Sequence, residues 1–138
     1  MPNMNDIKMD AKADWYTTID LRNGFFQMAL SEESKRYTCF GNPSLGYYEH
    51  NVLPMGCCIS PGHFHCKLSV LLRSLSKYLT QFVDDILVKT NGTVEFHLSI
   101  VRKVFVELER IGAQVEPSKV VLAQREIKFL GLVLSNSG

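Results

Sequence analysis

The chain has 138 residues, enough for one domain with a real core. Its 46% hydrophobic and 21% charged residues exclude a disordered polymer, and no apolar run reaches the roughly 20 residues that span a bilayer. A net charge of +1 lacks the basic excess usual in nucleic-acid binders, so any such role must rest on metal ions or a few placed cations.

Met1 to Asp6 carries neither the basic nor the apolar part of a secretory leader, so an intracellular protein is expected. No repeat or linker interrupts the sequence, and residues 1–138 read as one domain. Trp15 to Ile19, rich in aromatic and β-branched residues, predicts a strand ending at Asp20. A polar turn at Arg22-Asn23-Gly24 precedes the apolar run Phe25 to Met28, and Ser31 to Ser34 reads as a capped short helical turn. Tyr37 to Phe40 and Tyr47 to Leu53 are expected strands joined by a turn at Gly41 to Ser44. Ser60-Pro61 reads as an N-cap and first helical residue. Phe64, Leu68, Leu71, Leu72, Leu75 and Leu79 then recur at helical spacing, predicting a helix to about Leu79. Gln81 to Val83 and Ile86 to Val88 flank Asp84-Asp85, which predicts a hairpin with the acid pair at its tip. A second helix, Val94 to Ile111, would bury Leu98, Val101, Phe105 and Leu108 and stop at Gly112. Strands follow at Ala113 to Glu116, Val120 to Leu122 and Ile127 to Leu134. This order predicts an α+β fold, an antiparallel sheet with helices on one face and the other face free.

The acid pair is the most unusual feature. Adjacent like charges in an apolar surround repel, and an exposed acidic turn is the bland reading. Asp20 at its strand end is placed to supply a third carboxylate. Such a cluster suits a hard divalent cation with oxygen ligands, Mg²⁺ or Mn²⁺. Two such ions support phosphoryl or nucleotidyl transfer.

From Trp15 to Gly138 the sequence resembles, in order, the reverse transcriptases of retroviruses and long-terminal-repeat retrotransposons. Tyr16 to Gln27 looks like motif A, Leu53 to Phe64 motif B, Phe82-Val83-Asp84-Asp85 motif C, Gly112 to Lys119 motif D and Phe129-Leu130-Gly131 the primer-grip motif E. The resemblance implies a polymerase palm with Asp20 and Asp84 as principal metal ligands and Asp85 as a supporting acid. It also implies backbone contacts to the incoming triphosphate at Asn23 and Gly24, and Phe25 as the ring that excludes a ribose 2′ hydroxyl. Gly56 and Pro61 would lie beside the nascent base pair and template, and Lys119 would contact phosphate or protonate pyrophosphate. Met55 departs from the glutamine of many retroviral enzymes; its thioether packs but cannot offer an amide's paired donor and acceptor. The implied partners are an RNA or DNA template with a DNA primer and deoxynucleoside triphosphates. Fingers, thumb and ribonuclease H parts of a parent polyprotein are expected partners not contained in this chain. The implied location is the cytoplasm or a virus-like particle, with no membrane.

Two other readings compete. An inactive or domesticated retroelement fragment would act as a nucleic-acid or protein interaction module. A zinc-binding regulatory domain would use Cys57, Cys58, His63, His65 and Cys66, but His63, His65 and Cys66 share one helix turn and point in different directions, and buried, reduced thiols are expected instead.

Overall fold

A computed structural model describes residues 12–137, with strands β1 (Trp15–Asp20), β2 (Phe40–Asn42), β3 (Gly46–Tyr48), β4 (Leu79–Phe82), β5 (Asp85–Thr90), β6 (Val121–Gln124), β7 (Glu126–Phe129) and β8 (Leu132–Ser135). Helices α1 (Glu32–Lys35), α2 (Ser60–Leu71) and α3 (Val94–Arg110) complete the fold with four short 3-10 segments. The N-terminal segment on which the leader reading rests lies outside the described residues. No helix among the described residues is long and apolar enough to cross a membrane.

The main sheet runs β4-β5-β1-β6, all neighbours antiparallel, with two separate hairpins, β2-β3 and β7-β8. Alternation along β1 and β5 sorts side chains to two faces. Ile19, Leu21, Ile86 and Val88 face α2 and α3, where Phe64, Leu68, Val101, Val104 and Leu108 close the main core. Tyr16 and Leu87 face the opposite way and pack with Ile127, Phe129 and Leu134 of the β7-β8 hairpin. The second face is therefore half covered and not free: β7 alternates exposed and buried residues, and its buried row needs an apolar partner.

Other elements depart from the sequence reading for identifiable reasons. α2 ends at Leu71 and gives way to the 3-10 segment Arg73–Tyr78. Spacings of three and four do not separate the two helix types, and Leu79 is claimed by pairing with Val88. Ser60 lies inside α2, where its hydroxyl donates to Pro54 O at 3.0 Å, and Ile59 holds the cap position without a side-chain bond. Ser31 precedes α1 without capping it; its hydroxyl pairs with that of Ser34. Thr93 is a working cap for α3, accepting from Phe96 N–H at 3.2 Å. α3 buries His97, Ile100, Val101, Val104 and Leu108, while Leu98 is exposed and Phe105 only partly buried. β2 and β3 are shorter than expected, and residues 113–116 contribute only a bridge, Val115 to Leu21.

Candidate active site

The site forms where β1 and β5 end together. Their register pairs Asp20 with Asp85 directly across the strands, on the face opposite α2 and α3. The expected acid tip shifts by one residue: Val83 and Asp84 form the two-residue turn, and Asp85 already belongs to β5. The turn needs positive φ at its first central position, and Val83 takes it at φ 55° despite its branched side chain. Leu21 N–H donates to Asp84 O at 3.1 Å, tying the tip to the end of β1. Gly24 lies against the same tip, where a Cβ would meet Asp84 Cβ at 3.1 Å and Phe64 Cζ at 3.0 Å. Glycine at this position lets the loop approach the acids.

Burial pushes the Asp85 carboxyl above its ordinary range, and the charges of Asp84 and Asp20 add to the effect. Its hydrogen bond to Asp20 favours the protonated form, while Lys119 opposes the shift. Lys119 Nζ stands 3.4 Å from Asp20 Oδ2, an ion pair whose lysine side chain is 64% exposed and so weakly stabilising. Asp20 and Lys119 together separate two cavities. The larger, about 400 Å³, is bounded also by Asn23, Gly24, Met55, Asp84 and Glu116. The smaller, about 130 Å³, lies toward Asp85, Lys128, Phe129 and Leu130.

Residues 2–134 match the family model described as Reverse transcriptase (RNA-dependent DNA polymerase). The chain belongs to the reverse transcriptase family. It is similar to the Enzymatic polyprotein of Cestrum yellow leaf curling virus, 35% identical across all of this chain and 22% of that protein. The Retrovirus-related Pol polyprotein from transposon 297 of Drosophila melanogaster is 33% identical across all of this chain and 13% of its own length. The chain thus spans about a fifth or less of these curated relatives. Among solved structures, the foamy viral protease-reverse transcriptase in complex with RNA/DNA hybrid superimposes with a TM-score of 0.84 at 30% identity, over 99% of this chain and 19% of that one. The same enzyme in complex with dsDNA gives 0.80 at 31% identity, over 92% and 27%. The α+β palm architecture expected from the sequence is that of these reverse transcriptases.

Within this reverse transcriptase fold, Asp20, Asn23, Gly24, Met55, Asp84 and Lys119 border one cavity. Phe129 and Leu130 border the other, beside Asp85. Leu130 and Gly131 form the tight turn of the β7-β8 hairpin, at φ 50° and 78°. Gly56 (φ 88°) is exposed in the loop before α2, and Pro61 is half-buried in its first turn. Phe25 belongs to the 3-10 turn Gly24–Gln27, and its side chain lies outside the described residues. Four groups at the site were not anticipated: Lys128 and Glu116 in the cavity walls, Arg22 paired with Glu116 at 3.9 Å, and Gln27. Outward alternation on β7 hints at Lys128, and Gln27 stands in the sequence as the last residue of the motif A match, with nothing local to mark its partner.

The four cysteines are exposed and not buried as expected. Among the described residues no three His, Cys, Asp or Glu side chains stand as a ready-made metal cluster, at the cysteines or at the acids.

Proposed function

We propose that this chain is the palm of an RNA-directed DNA polymerase, joining deoxynucleoside triphosphates to a primer 3′ hydroxyl as a template directs. The observation that carries the reading is the Asp20–Asp85 pair, with Asp84 in electrostatic reach and Lys119 opposing, between two cavities of a reverse transcriptase fold. The larger cavity would take the triphosphate and the smaller one the primer end.

Asp20, Asp84 and Asp85 would hold Mg²⁺ or Mn²⁺. Their donors are oxygen alone, and the Asp85 carboxyl, raised first by burial and then by the charges of Asp84 and Asp20, has like charge beside it that a hard cation relieves. When bound, such ions make the attacking hydroxyl more acidic and stabilise the leaving oxygen. The remaining work falls to this chain's own groups. Asn23 and Gly24 offer backbone N–H to the triphosphate, and Met55 packs against its sugar or base. Gly56 and Pro61 lie beside the nascent pair and template. Lys119, which borders both cavities, would contact phosphate or give a proton to departing pyrophosphate. Phe129, Leu130 and Gly131 hold the primer terminus. Phe25 excludes the ribose 2′ hydroxyl, and Phe25→Ala should raise ribonucleotide use relative to deoxynucleotide; an unchanged ratio would remove that role.

The foamy viral neighbours are solved with dsDNA and with RNA/DNA hybrid, which supports a primer–template partner here. The viral and transposon relatives are polyproteins several times longer than this chain, which supports further polyprotein parts as its partners; these would be fingers, thumb and ribonuclease H, in the cytoplasm or a virus-like particle. The test joins this chain to the flanking parts of a relative's polyprotein and measures DNA primer extension on an RNA template. Extension should require Mg²⁺ or Mn²⁺ and vanish in Asp84→Asn. Equal extension by Asp84→Asn would refute the assignment.

A further inference from the structure

Gln27 closes the 3-10 turn Gly24–Gln27, 87 residues from its main partner. Its Oε1 accepts from Gln114 N–H at 2.7 Å, and its Nε2 donates to Gln114 O at 3.0 Å and to Arg22 O. One side-chain amide thus pairs with both backbone groups of Gln114, as a neighbouring strand would. It continues a short zipper: Glu116 N–H donates to Asp20 O at 3.0 Å, Val115 bridges Leu21, and Arg22 N–H donates to Gln114 O at 2.9 Å.

Between the zipper and the clasp sits Asn23, at φ 49°. A non-glycine residue keeps that conformation only where its surroundings over-determine it. Here Arg22 O is held by Gln27, and Asn23 O accepts from Phe26 N–H at 2.9 Å. The two segments so joined both supply walls of the larger cavity, one through Asn23 and Gly24 and the other through Glu116 and Lys119.

We infer that Gln27 is a positioning residue that fixes the distance between these walls and hence the fit of the triphosphate. The inference rests on the proposed reading of that cavity as the nucleotide site. Gln27 touches no substrate; it acts through the Arg22 carbonyl and the Gln114 backbone.

The test compares wild type, Gln27→Met and Gln124→Ala by affinity for Mg²⁺–dATP, affinity for an RNA/DNA hybrid, and thermal midpoint. Methionine is close to glutamine in volume but cannot clasp. Gln27→Met should weaken nucleotide binding about tenfold, the scale of one net hydrogen bond, while hybrid affinity stays within about twofold. Its midpoint should fall by only about 3–5 °C. Gln124→Ala, which removes only a local bond to Leu122 O, should move neither affinity. Equal nucleotide affinity in wild type and Gln27→Met overturns the inference and leaves the site reading standing. Parallel loss of nucleotide and hybrid affinity reduces Gln27 to a structural tie and also overturns it. A wild-type chain that binds no nucleotide at millimolar concentration overturns the site reading, and the inference with it.

Discussion

Burial and the charges of Asp84 and Asp20 hold Asp85 more readily protonated in the folded chain than in the unfolded one. Between its ordinary pKa and the raised value the folded state binds the extra proton, so stability falls as pH rises through that window and stays reduced above it. Asp85→Asn should therefore stabilise the metal-free chain at neutral pH. The gain expected is a few tenths to about 1 kcal/mol, as for other cross-strand like-charge pairs. Urea denaturation reads this directly, and a destabilised variant would show that the pair is held by something other than repulsion. His97 gives the opposite sign. It is fully buried between the hydroxyls of Thr17 and Thr90, each at 2.8 Å, and burial lowers its pKa. The unfolded chain takes up the proton first, so its contribution is complete above pH 6.5 and is lost as pH falls from there toward the folded value. His97→Phe should flatten that acid limb while costing about 1–3 kcal/mol at pH 7.5, because both buried hydroxyls lose a partner, Thr17 keeping only the N–H of Ala123. An unchanged limb would place the titration elsewhere.

At the scale of elements, the β4-β5 hairpin carries one of the strained residues of the site, beside Asn23 and Leu130. Val83 holds φ 55° at its tip, a region that β-branched residues disfavour. Val83→Gly should stabilise the chain by about 1 kcal/mol, since glycine takes that backbone freely. A loss of stability would mean that Val83's packing against the main core outweighs its strain. This hairpin also marks how far the sequence is legible. β1 was readable to its last residue because its branched and aromatic run stops where the chain turns. The hairpin was readable as an element, but not its register: which residues turn is set by the pairing of Phe82 with Asp85. The true inward face of α3 was hidden because His97 stands in the core, and a polar residue there looks like the solvent side of a helix. The covered second face was hidden because it depends on a hairpin folding back from the far end of the chain. Gln27 was hidden for the same reason, its partner being set by tertiary contact.

For the molecule as a whole, the site lies where three distant segments meet: the end of β1, the β4-β5 tip and the residues around Lys119. A near-neutral chain can serve nucleic acid in this arrangement if its charge is local and its cations are bound ions as much as lysines. The central claim is that Asp20, Asp84 and Asp85 form a divalent-ion site. The most direct test is a Mn²⁺ titration of the metal-free chain against Asp84→Asn, followed by thermal midpoint and by Mn²⁺ paramagnetic relaxation. Wild type should bind the ion and gain stability with concentration, by about 2.7 kcal/mol at one hundred times the dissociation constant. Asp84→Asn should start at equal or higher stability and gain much less. Equal binding and equal stabilisation in the two proteins, or none in wild type, would contradict the account.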